Sequence, residues 1–290
     1  MIRAGIDWGS SSFRAYRFND AGQYQETVSD GPGIKFVDNA GFETVLREKI
    51  GDWLTPGDTV LLSGMITSRN GWLESPYIAC PANLADIISG GLSHRTSGLN
   101  LIFLPGISQV DPPDVMRGEE LQLLGSGAEG ICVIPGTHSK WAEVSTGCVH
   151  RFRTIPTGEL FDLLVNHALI GSLTEQGVWD SNAFTDGVER GFTTATVLSD
   201  LFVTRSSVLM QTRNPNTVRC WLSGLLIGSE IREGLCLTSQ SAETIVLIGS
   251  TRLCEKYREA MEFLSLKTRI APADVAMLGF QRIIGLNNEH

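Results

Sequence analysis

A short polar turn between two apolar stretches is the first place where residue types and spacing could do chemistry. Met1 to Asp7 reads as a strand and Phe13 to Phe18 as a second, with Gly9, Ser10 and Ser11 between them. Backbone N–H groups in such a turn are not screened by bulky side chains. They can converge on an anion, and glycine tolerates the dihedrals this requires. Asp7, at the end of the first strand, sends a carboxylate into the same space. A carboxylate beside a phosphate makes sense mainly if a divalent cation such as Mg²⁺ lies between them. A plain β-hairpin with a polar turn is the competing reading.

The same pattern is written a second time. Gly130 to Pro135 is an apolar strand, Gly136-Thr137-His138-Ser139 a small polar turn, and Lys140 to Ser145 a strand again. Each copy continues through a tight turn and a third strand (Gln23 to Ser29; Val149 to Thr154) into a helix. Two such units suggest two similar α/β domains whose phosphate-holding turns meet across a cleft. The linker-like Asp111-Pro112-Pro113-Asp114 places the transition, giving domains of residues 1–112 and 113–290 with a hinge near 111–116.

Other candidates lie where strands end. After the strand Thr59 to Ser63 comes Gly64 to Trp72, at the carboxyl edge where open α/β sheets bind ligands. Its Ser68, Arg69, Asn70 and Trp72 offer hydroxyl, cation, amide and a stacking face to a small polyhydroxy acid; a surface loop with an anchoring Trp explains them as well. Arg117-Gly118-Glu119-Glu120 opens a helix over Met116 to Ala128. Acidic residues there favour the helix dipole, or one of them is a general base. Lys140 or Arg117 could offset charge on a transferred group. The strand Thr244 to Ile248 runs into Gly249-Ser250 and a helix, a corner where a flat ring can lie against backbone. Gly125 to Gly130 spells GxGxxG, but it ends a helix and leads into a strand, the reverse of a dinucleotide fingerprint. His167 lies beside the apolar face of a helix opened by Thr157-Gly158-Glu159 and reads as a core histidine. Gly224, Gly228 and Ser229 suit close helix packing.

Composition limits the partners. With 290 residues there is chain enough for two ordinary domains. A formal charge of −9 argues against a nucleic-acid or anionic-membrane surface. The apolar run from Cys220 to Cys236 is interrupted by Glu230, Arg232 and Glu233, so it does not read as a bilayer span. Six cysteines without metal spacing read as buried free thiols of a reducing cytoplasm. No cleavable leader is expected from the first residues.

The ordered motifs resemble the superfamily of sugar kinases, actin and heat-shock ATPases, whose members have two RNase H-like (actin-like ATPase) domains flanking a nucleotide cleft. More closely, the chain resembles the 2-dehydro-3-deoxygalactonokinase family along essentially its whole length. The match rests on IDWGSSSFRAY (6–16), GMITSRNGW (64–72), VMRGEELQLLG (115–125), IPGTHSKW (134–141), RTIPTGEL (153–160) and LSGLLIGSE (222–230). The resemblance implies transfer of the ATP γ-phosphoryl group, with Mg²⁺, to the 6-hydroxyl of 2-dehydro-3-deoxy-D-galactonate. It assigns Asp7 and Gly9 to Ser11 to the first phosphate loop and Gly136-Thr137 to the second. It also makes Gly249-Ser250 the adenosine corner, although many superfamily members carry two glycines there. The catalytic base of related sugar kinases is an aspartate following a glycine; here Glu119 follows Gly118, which favours Glu119 over Glu120. A kinase for another sugar acid and a nucleotide-dependent sensor of the same fold are the rival readings. The expected partner is a small sugar acid, and a homodimer is allowed for.

Overall fold

The computed structural model describes residues 1–38, 41–237 and 244–288. Contacts divide the chain into two compact units. Unit 1 comprises Met1–Glu129, Val144–Arg151 and the C-terminal stretch from Asp274; unit 2 comprises Gly130–Glu143 and Phe152–Ala273.

Unit 1 opens with the expected hairpin, β1 (Ile2–Trp8) and β2 (Ser12–Phe18), followed by β3 (Tyr24–Pro32) and α1 (Phe42–Ile50). Next come β4 (Thr59–Ser63), β5 (Tyr77–Ala79), α2 (Leu84–Ser89), β6 (Leu92–Thr96), β7 (Leu99–Phe103), β8 (Gly106–Gln109), β9 (Asp114–Met116) and α3 (Glu119–Ser126). The main sheet runs β3-β2-β1-β4-β7-β6, with β1, β4 and β7 parallel. Alternation along β1 and β2 sorts the core. Ala4, Ile6, Trp8, Phe13 and Ala15 face α1, where Phe42, Leu46 and Ile50 meet them at helical spacing. On the opposite face, Tyr16 and bare Gly5 meet Phe280 of the C-terminal helix Val275–Asn288.

Two stretches differ from the sequence expectation. The linker-like Asp111 to Asp114 belongs to the hairpin joining β8 and β9, inside unit 1. The helix expected from Met116 begins only at Glu119, because Met116 still pairs with Ile107 and Gly118 turns the chain at φ 103°. The GxGxxG stretch is structural, as its order implied. Gly125 lets the C-terminal helix approach so closely that a Cβ would lie 2.3 Å from the Val275 carbonyl oxygen, and Gly127 is the left-handed cap ending α3.

Unit 2 repeats the design. It contains β10 (Gly130–Ile134), most of β11 (Ser139–Ser145) and the second half of β12 (Cys148–Ile155), whose remaining residues fall in unit 1, then α4 (Thr157–Asp162), α5 (Ser181–Thr193), α6 (Val197–Leu209), α7 (Val218–Leu237), β13 (Ile245–Leu247), α8 (Thr251–Phe263) and β14 (Thr268–Ile270). Its sheet runs β12-β11-β10-β13-β14. Counting strands from the start of each copy, both sheets therefore begin third, second, first, fourth and continue into a further parallel strand, β7 in unit 1 and β14 in unit 2, which is the duplication expected from the turns. The helices inserted after β12 pack through bare backbone: a Cβ on Gly187, Gly191, Gly224 or Gly228 would lie 2.0–2.2 Å from a carbonyl oxygen of the facing helix. Among the described residues no helix is long and apolar enough to cross a membrane.

Two further expectations are corrected. His167 is exposed rather than in the core, because a π-helical turn over Leu163–His167 shifts the register of the apolar face. The cysteines are all free, but only Cys132, Cys220 and Cys254 are buried; Cys236 is exposed. The close approach of α5 and α7 gives a direct test. Gly224→Val should lower unfolding free energy by about 1–3 kcal/mol or more through overpacking, read from the urea midpoint. An unchanged midpoint would mean the two helices do not meet there as described.

Candidate active site

Unit 1 gathers carboxylates at the carboxyl ends of its parallel strands. Asp7, the penultimate residue of β1, is in register with Arg14 on β2 and Ser63 on β4. Gly64, directly after β4, and Gly118, directly before α3, pass beside it at φ 88° and 103°. A Cβ on Gly64 would lie 3.1 Å from Asp7 Oδ1, and one on Gly118 3.1 Å from the Gly64 Cα. Side chains are thus excluded from two of the walls around this carboxylate. Burial raises the Asp7 pKa from its ordinary 3.8 to about 6; Arg14 opposes the rise and Glu119 adds to it.

The two glutamates of α3 diverge because successive helical residues point about 100° apart. Glu120 is 1% exposed, and both its oxygens accept from the Gly118 N–H at 2.8 Å. Burial, then the charge of Glu119, pushes its pKa to about 8. Glu119 stays half-buried, with Oε2 accepting from the Arg117 N–H at 3.0 Å. It is the glutamate whose charge is felt at Asp7.

Arg117 is buried, and its guanidinium clamps the loop after β4. Nη1 donates to both the carbonyl and the hydroxyl of Thr67 at 2.7 Å, Nη2 donates to the Ser75 carbonyl at 2.8 Å, and the group lies over the Tyr77 ring. Four donor contacts, counting Nε to the Tyr77 hydroxyl at 3.4 Å, hold the loop's conformation. Within that loop, Ser68 Oγ donates to the Met65 carbonyl, while Arg69 and Asn70 are exposed at the tip. The Trp72 ring is stacked on Phe42 and edge-on to Phe103, against the sheet core. That packing makes it the loop's anchor. The turn Gly9 to Ser11 is braced from beneath: Ile34 N–H donates to the Gly9 carbonyl and Lys35 N–H to that of Ser10, and Gly33 packs against Ser11 with no room for a Cβ.

Unit 2 contributes a cavity of about 490 Å³ whose walls include Gly136, Thr137, Thr157, Gly158, Ser250 and Lys256. Three residues assigned from sequence thus line one space: Gly136 and Thr137 at one wall and Ser250, which precedes α8, at another. Gly249 shapes the corner at φ 131°, a conformation that side chains rarely adopt. Gly158 is the floor of the turn, since a Cβ there would meet the Gly136 carbonyl at 2.4 Å. His138 is tied to Glu159 at 2.8 Å, anchoring the turn to α4. Lys140 does not line the cavity; it is buried and donates to Thr154 on β12 at 2.8 Å.

Several residues of these sites escaped the sequence reading. Arg14 stands opposite Asp7 only through hairpin register, which a strand pattern carries implicitly. Thr157, Arg252, Lys256 and Tyr257 reach the cavity from α4 and α8, and no local motif marks them. Glu230 had a signal: a lone acid in an apolar helix is costly unless paired.

A sheet order repeated in two units, a braced Gly/Ser turn after the first strand of each, and a cavity over the second turn define an actin-like ATPase fold of the sugar-kinase kind. At the level of fold alone, the chain matches a Porphyromonas gingivalis protein assigned as an N-acetylglucosamine kinase, with 16% identity, TM-score 0.50, and coverage of 99% of this chain and 100% of that one. The particular family follows from closer comparisons. The profile of the 2-keto-3-deoxy-galactonokinase family matches residues 7–283, and the chain belongs to that family. The 2-dehydro-3-deoxygalactonokinase of Escherichia coli K12 is 34% identical over 276 residues, 93% of each chain. A crystal structure from Sinorhizobium meliloti, assigned as a 2-dehydro-3-deoxygalactonokinase, superposes with TM-score 0.90 at 34% identity over 98% of this chain and 99% of that one.

The raised pKa of Asp7 has a thermodynamic consequence. Ionising Asp7 costs the folded state stability as pH rises from about 3.8 to about 6; the cost is absent below that window and complete above it. In metal-free buffer, Asp7→Asn should therefore melt above the wild type at pH 8, and the gap should close as pH falls to 4. A gap independent of pH would contradict the buried charge.

Proposed function

We propose that this protein phosphorylates the 6-hydroxyl of 2-dehydro-3-deoxy-D-galactonate at the expense of ATP, a step in galactonate breakdown. Membership of the 2-keto-3-deoxy-galactonokinase family carries this reading. The local chemistry supports it. Phosphoryl transfer needs the donor phosphates cradled, the acceptor hydroxyl held in line and a carboxylate to take its proton. In this reading the nucleotide occupies the unit 2 cavity, with its phosphates on the Gly136-Thr137 turn and its adenosine at the Gly249-Ser250 corner. The turn Gly9 to Ser11 serves the transferred phosphate. A metabolic kinase with every cysteine free fits a reducing cytoplasm.

The donor set in unit 1 fits a divalent cation. Asp7 is half-buried, and its raised pKa arises partly from the charge of Glu119; a cation relieves that repulsion. Mg²⁺ keeps several waters and is commonly held by one or two carboxylates plus substrate phosphates. Asp7 would hold it, and when bound it neutralises charge on the phosphate oxygens. Arg14 supplies a fixed positive charge beside the same carboxylate.

Glu119 is the general base. It is half-buried, lies within electrostatic reach of Asp7, and is held at the start of α3 by the Arg117 N–H. Glu120 is buried with both oxygens on the Gly118 N–H, which suits it to shaping the start of α3. Arg69, at the exposed tip of the clamped loop, takes the substrate carboxylate. Arg117 fixes that loop instead of touching substrate.

A coupled assay with ATP, Mg²⁺ and 2-dehydro-3-deoxy-D-galactonate should show acceptor-dependent ADP release and a 6-phosphate product; release independent of acceptor would sink the proposal. Glu119→Gln should lose roughly 10²–10⁴-fold in kcat with its melting temperature retained, and Glu120→Gln should be milder. A dead, folded Glu120→Gln beside an active Glu119→Gln would reverse the assignment. Arg69→Ala should raise KM for the sugar acid far more than KM for ATP. Equal effects on both would assign the carboxylate to another residue.

A further inference from the structure

Beneath the unit 2 cavity lies a carboxylate that the proposed reaction does not use. Glu230, in the middle of α7, is 1% exposed. Its Oε1 accepts from Trp141 Nε1 at 2.9 Å and its Oε2 from the Tyr257 hydroxyl at 2.5 Å; the nearby hydroxyls of Thr157 and Ser139 also favour its charged form. Tyr257 and Thr157 line the cavity directly, whereas Glu230 does not. Ser139 Oγ, fully buried, lies 3.1 Å from the Tyr257 hydroxyl and accepts from the Gly136 N–H at 3.4 Å.

Counting protons gives this cluster a direction. Trp141 can only donate, and a backbone N–H can only donate. Gly136 N–H points to Ser139, Ser139 passes its proton on to Tyr257 or Glu230, and Tyr257 gives its own to Glu230. Every arrow ends on one carboxylate, which must act as acceptor at both oxygens. Burial raises the pKa of that carboxyl and the four donors oppose the rise. With the Gly136 N–H consumed inside the turn, the N–H groups of Thr137 and His138 have no protein acceptor among the described residues.

We propose that Glu230 is a positioning residue for the nucleotide. Through Tyr257 and Ser139 it locks the turn Gly136 to Ser139 in the form that offers the Thr137 and His138 N–H groups to phosphate. The proposal rests on the reading of the unit 2 cavity as the ATP site. An amide at position 230 breaks the direction of the chain. Its oxygen must face the Trp141 N–H, so its NH₂ meets the hydroxyls, Tyr257 must then accept, and Ser139 receives protons from two sides. Ser139 then shares its oxygen between Gly136 and Tyr257 while its own proton loses Tyr257 as acceptor, which loosens the hold on the turn.

The test uses Glu230→Gln, Ser139→Ala and the double variant, with ATP binding measured by calorimetry in the absence of sugar acid and steady-state kinetics beside it. Glu230→Gln should weaken ATP binding and raise KM for ATP about tenfold, with kcat and KM for the sugar acid within about twofold of wild type. Ser139→Ala should give the same pattern, since it cuts the chain while leaving the bonds of Trp141 and Tyr257 to Glu230. The double variant should be no weaker than the worse single one, because both remove a single pathway. Additive losses, or equal changes in both KM values, would overturn the proposal. If Glu230→Gln fails to fold, Ser139→Ala alone decides, and unchanged ATP affinity overturns it. A wild type that binds no ATP would overturn the nucleotide site itself along with this inference; a wild type that binds ATP beside unaffected variants overturns the inference alone.

Discussion

Unit 1 depends on a carboxylate kept where charge is costly. Asp7 is half-buried at the end of β1, and among the described residues no hydrogen-bond donor faces its oxygens. The surrounding walls are the bare backbones of Gly64 and Gly118. Burial of an ionised carboxylate without such donors normally drives it towards protonation, and the rise of its pKa to about 6 is that pressure. Arg14, across the hairpin, offsets part of that cost. The positive φ of both glycines follows from the same requirement, since a side chain at either position would fill the space against the carboxylate.

Unit 2 buries an acid near its own turn and resolves the cost in the opposite way. Glu230 is surrounded by donors, so nothing of it remains for a ligand. An under-satisfied acid is chemistry waiting for a partner; a saturated one is architecture. The same strand order carries both solutions, with the difference residing in which helices are inserted after the third strand. In unit 1 a single α-helix, α1, is inserted there. In unit 2 the α4-to-α7 insertion brings Thr157 and Glu230 under the turn, and α8 then adds Tyr257.

Charge of the other sign is managed similarly. Arg117 is a buried cation spent on neutral carbonyls, a hydroxyl and an aromatic face. Its planar fork lets one side chain bridge Thr67, Ser75 and Tyr77, which a lysine could not do. Since the Arg117 N–H also meets Glu119, the residue that shapes the acceptor loop and the proposed base share one short stretch of backbone. Lys140 is likewise drawn into its sheet, by Thr154.

The sequence by itself determined what is local. Apolar alternation placed the strands, the Gly/Ser and Gly/Thr turns marked the ends of β1 and β10, and the repeat of that pattern disclosed the duplication. Gly224 and Gly228 announced a close helix pair, because only a missing side chain allows backbones to approach so nearly. What tertiary structure decided are relations between residues distant in the chain. Asp111 to Asp114 looks like a linker because proline and aspartate favour turns, and only the pairing of β8 with β9 shows that the turn is internal. Arg117 reads as a ligand for an anion until Thr67 and Ser75 are found around it. Glu119 and Glu120 are chemically alike in the sequence; one is buried and the other is not because Gly118 turns the chain at a positive φ just before the helix begins. Burial and donor count set the roles of Asp7 and Glu230, and neither quantity is written at a single position.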